Sequence, residues 1–379
     1  MCRSKDIFKN IIISSLSRFG CSRYCALHIS LLKMALCVVL VLGSFSVYSQ
    51  NNNNMVRLAW WNLENFFDPS NDSLTNDDEF TPEGINHWTY TRFNNKKNNI
   101  YKTILSMGLD SLPAAMGVCE VENAWTLKQL CFNTPLAKYG YQYIHYDSPD
   151  PRGIDVALVY MPKQFLPIYS KPILVDDSSN LSFKTRDILL VCGTVLETDT
   201  LFILLAHFPS KKTGIISVSR REVAAKKLKY TIDTIAQRHP KCGIVVMGDF
   251  NDTPLDDCIV KTLGVSPSVM DSSQSGLINL MADIDSDFGT YKYQGMWYCL
   301  DQIMISSNLS MKTNIQTGFD RHLHRGRLNS GNQVAKLEVP RGCRLRDKSQ
   351  ARDFSAKRLQ LQQFSQCRRL PGKSHLSSR

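Results

Sequence analysis

The 379-residue chain lacks any Cys-x-x-Cys pair, although it holds 12 cysteines. This absence argues against a structural zinc module, because such modules commonly space their ligands in that way. The chain also lacks the repeated long apolar runs of a multispan membrane protein, and no internal repeat is visible. With 43% hydrophobic and 21% charged residues, the composition is that of a folded globular protein rather than a disordered one.

The central part of the chain lacks a basic surplus, although the whole chain has a formal net charge of +11. The segment 320–379 holds 15 basic and 4 acidic side chains, whereas 34–319 holds 24 basic and 29 acidic ones. A nucleic-acid-binding domain normally carries its phosphate-neutralising charge on the folded domain. The charge distribution therefore argues mildly against non-specific binding of duplex DNA.

Residues 34–50, MALCVVLVLGSFSVYSQ, have an apolar core that runs from Ala35 to Val47 and ends in small residues. This pattern is typical of a secretory signal peptide (34–49), and the core is too short to span a bilayer comfortably. We therefore expect Met34 to be the true start, 1–33 to be a misassigned extension, and the mature protein to be periplasmic or extracellular. An uncleaved amphipathic anchor is the alternative. Export would permit disulfides, but cysteine spacing does not assign them.

Apolar runs and one periodic segment indicate the fold class. Strands are predicted at 55–62, up to Glu120, at 153–161, at 187–196, up to His207, up to Asp249, and at 296–306. The clearest helix follows Ser217 or Ser219 as its N-cap, has a buried stripe every three or four residues, and stops at Pro240. A weaker helix is predicted at 93–108. Continuous apolar strands with few helices indicate sheets that are covered on both faces.

Polar side chains recur where these apolar strands end. In GIVVMGDFND, Asp249 and Asn251 are two residues apart and share one face of a strand. Comparable positions are held by Asn62, Glu120, His207 and Asp301. Each residue alone has a simpler explanation as a turn former or a hydrogen-bonded buried group. Carboxylates on one rim repel unless protons or a cation neutralise them, and Mg²⁺ or Mn²⁺ suits such oxygen ligands.

The segments WNLENFF, CEVEN, RGIDVALVY, HFPSK, GDFND and LDQIMIS resemble, in order, the signatures of the endonuclease/exonuclease/phosphatase superfamily. This resemblance implies a four-layer α/β sandwich, with two packed mixed β-sheets flanked by helices, over residues 50–319. It also implies hydrolysis of a phosphoester with Mg²⁺ or Mn²⁺. We further expect a monomer with no membrane span after signal cleavage. Nucleic acid is one candidate substrate.

The resemblance also assigns a role to each matched residue. Glu120 would be the main metal ligand, with Asn62 beside it. Asp249 would orient or activate the attacking water. Asn251 would bind the substrate and stabilise the phosphoryl oxygens.

The remaining roles concern the phosphate and a second histidine. The resemblance implies that His207 lies over the phosphate, and it offers Asp150 as the carboxylate partner of His207. Arg186 would bind phosphate, and Asp301 would orient the family's last histidine. Outside these roles, we interpret Arg152 and Asp155 as a structural pair.

The chain departs from the family pattern at its C-terminal end. Family members close with Ser-Asp-His, and no such motif occurs in this sequence. The composition changes near Gly318, which predicts that 320–379 is an aberrant, unstructured tail of frameshifted sequence and that the last strand of the fold is missing. Two alternatives to an active hydrolase follow. One is a catalytically inactive relic or binding module, and the other is a nucleic-acid-binding protein that uses the basic tail.

Overall fold

The computed structural model describes residues 55–107, 112–195, 199–211, 214–266, 276–283, 289–310, 315–319 and 333–338. The extension 1–33, the signal segment 34–49 and most of the tail 320–379 lie outside these ranges. Among the helices in the described ranges, none is long and apolar enough to cross a membrane.

The described residues form fifteen strands and four α-helices. In chain order the strands are β1 (Met55–Phe66), β2 (Ala115–Val121), β3 (Gln142–His145), β4 (Asp155–Tyr160), β5 (Phe165–Ile173), β6 (Ile188–Val195), β7 (Asp199–His207), β8 (Gly243–Asp249), β9 (Val265–Ser266), β10 (Leu277–Asn279), β11 (Tyr291–Tyr293), β12 (Met296–Tyr298), β13 (Asp301–Ser306), β14 (Ile315–Phe319) and β15 (Gln333–Glu338). The helices are α1 (Tyr90–Ser106), α2 (Ala124–Phe132), α3 (Ile215–Arg238) and α4 (Ser307–Ser310). Short 3-10 turns at Asp78–Phe80 and Pro135–Tyr139 and a π-helical turn at Cys258–Leu263 connect them.

Two mixed sheets and one small hairpin account for these strands. The first sheet has the order β14-β15-β1-β2-β4-β3, and the second has the order β5-β6-β7-β8-β13-β10-β9. In each sheet one central pair is parallel, β1 with β2 and β7 with β8. Parallel neighbours finish at the same edge of a sheet, so the ends of β1 and β2 lie together, as do the ends of β7 and β8.

Three hydrophobic clusters show how the layers pack. The central cluster joins the inner faces of the two sheets and includes Leu58, Leu158, Ile203, Val245 and Ile303. A second cluster joins the outer face of the first sheet to α1 and α2, and a third joins the outer face of the second sheet to α3. Because side chains alternate along a strand, each central strand contributes to two clusters. The predicted four-layer α/β sandwich is therefore confirmed.

The two predicted helices are present with different starts. Helix α1 begins at Tyr90, because the Thr89 side chain accepts a hydrogen bond from the Arg92 N–H and caps the first turn. Helix α3 begins after Gly214, and Ser217 Oγ donates to the Gly214 carbonyl across 2.6 Å. The predicted N-cap at Ser217 or Ser219 is therefore wrong.

Two strand predictions are also corrected. The segment 296–306 is not one strand, because β12 pairs with β11 whereas β13 pairs with β8. The edge of β1 that faces away from β2 is not left open, because β15 lies antiparallel along it. The prediction of a missing last strand is therefore wrong, whereas the unstructured tail stays a prediction for the residues of 320–379 outside this strand. Any extended segment can hydrogen-bond an exposed strand edge through its backbone, so a sequence without the family motif can fill this position.

Candidate active site

The predicted site residues come together where central strands of both sheets end. Asn62 lies opposite Cys119 near the end of β1, and Glu120 follows in β2. In the second sheet, Asp249 pairs with His207 on one side and with Asp301 on the other. Since the two sheets pack face to face, these ends form one rim.

The backbone at this rim departs from regular strand geometry. The register between β2 and β4 shifts between Cys119 and Val121, so Glu120 occupies an irregularity. Glu120 has a φ of 57°, and Asn251, just beyond β8, has a φ of 50°. Non-glycine residues in this left-handed region cost about 1–3 kcal/mol each and concentrate at functional sites. Such irregularities change the direction of the side chain, and both of these residues are site residues that the sequence predicts.

Asn62 links the two rim carboxylates. Its Nδ2 donates to Glu120 Oε1 across 3.3 Å and to Asp249 Oδ2 across 3.0 Å. Its Oδ1 accepts from the N–H of Glu64 across 2.8 Å, and Glu120 Oε2 accepts from the N–H of Asn65 across 2.8 Å. Asn62 therefore acts as a hydrogen-bond donor that fixes both carboxylates. Its role as a metal ligand stays a prediction, because its amide oxygen is bound to the backbone.

His207 faces the same two carboxylates. Its Nε2 lies 4.0 Å from Glu120 Oε1 and 3.9 Å from Asp249 Oδ2. Burial holds the pKa of His207 well below its usual value, and the nearby charges of Arg186 and Arg152 lower it further. The imidazole is therefore neutral at pH 7 and carries one N–H donor and one acceptor nitrogen.

Burial also changes the pKa of the two aspartates on the second sheet. It raises the pKa of Asp249 to about 6, against the opposing hydrogen bonds from the Asn251 backbone and the Asn62 side chain. It raises the pKa of Asp301 well above its usual value, and the charge of Asp249 adds to this effect. Asp301 Oδ1 accepts from Trp60 Nε1 across 2.8 Å. The proposed contact of Asp301 with a last histidine stays a prediction.

Arg186 lies at the rim, as expected for a phosphate-binding residue, but its carboxylate partner is unexpected. Its Nη1 donates to Asp150 Oδ2 across 2.9 Å, and its Nη2 donates to the Phe208 carbonyl across 3.1 Å. Asp150 Oδ1 accepts from the Arg152 N–H across 3.0 Å. Asp150 thus orients Arg186, and the predicted pairing of Asp150 with His207 is wrong. The Nδ1 of His207 has no hydrogen-bond partner within the described part of the chain.

Asn251 is held beside these groups by two short contacts. Its N–H donates to Asp249 Oδ1 across 2.9 Å, and its Nδ2 donates to the Phe208 carbonyl across 3.0 Å. An amide nitrogen has two hydrogens, so Nδ2 retains one for another acceptor. This is compatible with the substrate-binding role expected for Asn251.

Two cationic residues near the site were not predicted from the sequence. Arg152 does not pair with Asp155; its Nη2 donates to Asn65 Oδ1 across 2.6 Å, at the β1 end of the rim. Lys96 of α1 donates from Nζ to the Glu64 carbonyl. For Lys96 the sequence contains one weak signal. This residue lies in the helix predicted at 93–108, which follows the strand that carries Asn62, and one face of such a helix can pack against that strand.

The donor set suits a hard divalent cation. Glu120 Oε1 and Asp249 Oδ2 accept from the same amide nitrogen and both face the same imidazole nitrogen, so these oxygens converge. Mg²⁺ and Mn²⁺ prefer carboxylate oxygens and water. The two carboxylates therefore fit the metal that the sequence predicts.

The chain belongs to the endonuclease/exonuclease/phosphatase family, whose family model matches residues 57–324. Metal-dependent hydrolysis of phosphoesters is the general activity that this membership supports. Among solved structures, the endonuclease/exonuclease/phosphatase from Bacteroides vulgatus is similar, with 15% identity, a TM-score of 0.50, and coverage of 76% of this chain and 99% of that chain. TDP2 from C. elegans is 14% identical, with a TM-score of 0.50 and coverage of 81% and 84%. At these identities the similarity shows the fold. None of the curated protein sequences matches the chain.

Proposed function

We propose that the protein is an exported, divalent-metal-dependent phosphoesterase of the phosphodiesterase or nuclease type. The proposal rests on the convergence of Glu120, Asp249 and His207 at the rim where central strands of both sheets end. Glu120 Oε1 and Asp249 Oδ2 lie 4.0 Å and 3.9 Å from His207 Nε2. Family membership supports the reaction class, and this geometry supports the choice of residues.

Glu120 and Asp249 would hold the cation, with Asn62 fixing their orientation. A bound Mg²⁺ or Mn²⁺ would supply positive charge for the phosphoryl oxygens. The carboxylates need this neutralisation because burial raises the pKa of Asp249 to about 6 and the charge of Glu120 adds to that shift.

The other residues have roles that follow from their contacts. Asp249, ionised beside the cation, can orient the attacking water and accept a proton from it. The neutral His207 and the free amide hydrogen of Asn251 can donate to phosphoryl oxygens. Arg186, oriented by Asp150, adds fixed positive charge. Donors fixed before the reaction stabilise charge that develops in the transition state.

Hydrolysis of bis-p-nitrophenyl phosphate and of plasmid DNA, with Mg²⁺ and then with EDTA, tests this proposal. We expect Mg²⁺-dependent turnover that falls about a thousandfold or more in Glu120→Gln and Asp249→Asn, since each removes a charged group from the reaction centre. Asp233→Asn, on an exposed part of α3, is the matched control and should retain full activity. Turnover that is unchanged by EDTA or by Glu120→Gln would overturn the proposal.

A catalytically inactive relic that binds metal and phosphate is the second candidate. It is favoured by the absence of a Ser-Asp-His motif from the sequence, because Asp301 is then left without the histidine that it would orient. The same assay separates the two candidates when metal binding is measured alongside turnover. A wild-type protein that binds Mg²⁺ through Glu120 but hydrolyses neither substrate would be the relic.

Export is tested separately from the chemistry. When the chain is expressed from Met34 in a bacterium, the periplasmic fraction should hold a protein whose N-terminus begins near Gln50, after removal of the signal peptide. Recovery of the intact N-terminus from the cytoplasm would contradict export.

A further inference from the structure

A groove of about 300 Å³ opens beside the rim, between β1 and α1. Its β1 wall includes Trp61, Asn62 and Glu64, and its α1 wall is contributed by successive turns of the helix. A volume of about 300 Å³ is at the low end for small-molecule pockets. The groove can therefore hold one substituent of a substrate rather than a whole macromolecule.

Hydrogen-bond donors dominate the α1 wall. Arg92 and Lys96 are four residues apart, as are Asn95 and Asn99, so these side chains lie on adjoining strips of one helix face. Of the described lining residues, Glu64 alone is acidic, so the formal charge of the lining is +1. Such a wall favours a ligand that is rich in oxygen acceptors and negatively charged.

One contact fixes a cation of the groove, and one buried donor of the lining is unpaired. Lys96 Nζ donates to the Glu64 carbonyl and lies 5.9 Å from the ring centroid of Trp88, so its position is fixed from two sides. Trp61 is 3% exposed, and its Nε1 is buried without a hydrogen-bond partner within the described part of the chain. Buried donors without partners are rare because each one costs about 1–3 kcal/mol.

Asn62 connects the groove to the reaction centre. It lines the groove, and its Nδ2 donates to both Glu120 Oε1 and Asp249 Oδ2. A substrate whose scissile phosphate lies at those two carboxylates would therefore place an adjoining substituent between β1 and α1.

We propose that this groove binds a second phosphate group of the substrate, so that phosphoesters with an additional phosphate are preferred to those with one. The proposal rests on the proposed function, because it assigns a subsite to the same active site. Arg92 and Lys96 supply the charge, and Asn95 and Asn99 supply neutral donors, a combination that recognises phosphate oxygens. The substrate class is thus a nucleotide, polynucleotide or sugar ester with at least two phosphates.

Calorimetric binding of adenosine 3′,5′-bisphosphate and adenosine 5′-monophosphate, with Mg²⁺ present, tests the groove without requiring turnover. We expect the wild-type protein to bind the bisphosphate about tenfold more tightly or better, which is about 1.4 kcal/mol. The preference should fall below about threefold in Arg92→Gln and Lys96→Gln, since each removes one charge that faces the second phosphate. Lys102→Gln, an exposed change elsewhere on α1, should keep the full preference.

The outcomes separate this proposal from the proposed function. Equal affinity of the wild-type protein for both ligands, or a preference that survives in Arg92→Gln, would overturn the groove assignment even if bis-p-nitrophenyl phosphate is hydrolysed. A preference that depends on Arg92 in a protein that hydrolyses nothing would support the groove and refute the proposed function. Arg92 is exposed, so Arg92→Gln should fold normally. If Lys96→Gln does not fold, Arg92→Gln alone still decides the test.

Discussion

Arg186 and Asp150 form a buried ion pair at the edge of the active site, with Nη1 and Oδ2 2.9 Å apart and side-chain exposures of 10% and 5%. Arg186 also donates to the carbonyl of Phe208, the residue after His207. The pair therefore connects the loop before β4, which carries Asp150, to the end of β7. The pair also fixes the guanidinium of Arg186 at the rim, and removal of either partner would leave the other charge unpaired.

Replacing Asp150 by Asn should destabilise the fold by about 3 kcal/mol, because the buried charge of Arg186 then has no opposite charge beside it. The measurement is the free energy of unfolding in urea. The matched control is Asp257→Asn, since Asp257 pairs with Lys261 across 2.8 Å but is 77% exposed. Breaking that surface pair should change stability by less than about 0.5 kcal/mol. Equal effects of the two substitutions would contradict the structural role of Asp150.

The sequence predicted those features that short stretches of chain encode. Apolar runs that end in a polar residue predict strands and the ends of those strands, and the structure brings Glu120, Asp249 and His207 together at such ends. Helix α3 was found from its periodic apolar stripe. These signals are local, because period-2 and period-3.6 patterns need only neighbouring residues.

The features that the sequence did not predict depend on contacts between distant segments. Asp150 is 36 residues from Arg186, and nothing local distinguishes this partner from His207. The pairing of β15 with β1 joins segments at opposite ends of the fold. The groove along α1 also needs the helix to be placed against β1 before its donors share one space. In each case tertiary pairing decides the result.

Packing between the two sheets should be sensitive to Gly117. A Cβ at this position would lie 2.6 Å from Leu205 Cδ2 in the other sheet and 2.6 Å from Trp60 Cε3. Gly117→Ala should therefore lower the free energy of unfolding by about 1–3 kcal/mol through overpacking. In Gly276→Ala, the control, the nearest heavy atom would be 3.9 Å away, and a change within about 0.5 kcal/mol is expected. Thermal unfolding of both variants measures the difference, and a tolerated Gly117→Ala would contradict this close sheet packing.

Glu122 should make stability fall as pH rises. Burial raises the pKa of Glu122 from 4.5 to about 9, and the charges of Asp68 and Asp77 add to this effect. The folded protein thus keeps this carboxyl protonated at pH values where the unfolded chain has released the proton. The contribution of Glu122 is fully present below pH 4.5 and is lost between pH 4.5 and 9, at about 1.4 kcal/mol per pH unit.

Glu122→Gln removes this titration while it keeps a neutral group of similar shape. The variant should therefore be more stable than the wild type at pH 8 by a larger margin than at pH 5. Urea unfolding at both pH values, with EDTA present, measures the margin without interference from a metal. Glu83→Gln, at an exposed position, should give no pH-dependent margin. A Glu122→Gln margin that is constant with pH would show that the carboxyl is ionised in the folded state.

His207→Gln should lower kcat for bis-p-nitrophenyl phosphate by about 10²–10³-fold, because a neutral donor within reach of both carboxylates is lost from the reaction centre. Burial keeps the pKa of His207 low, and the charges of Arg186 and Arg152 lower it further. The imidazole should therefore stay neutral from pH 7 to 9, and the loss of kcat should be the same throughout that range.

His239→Gln is the matched control. Burial also lowers the pKa of His239, but this residue ends α3 and its ring contacts Phe202. That control should retain activity within about twofold. If His207→Gln kept more than about a tenth of the activity, His207 would be a packing residue and the phosphate-facing role assigned to it would be wrong.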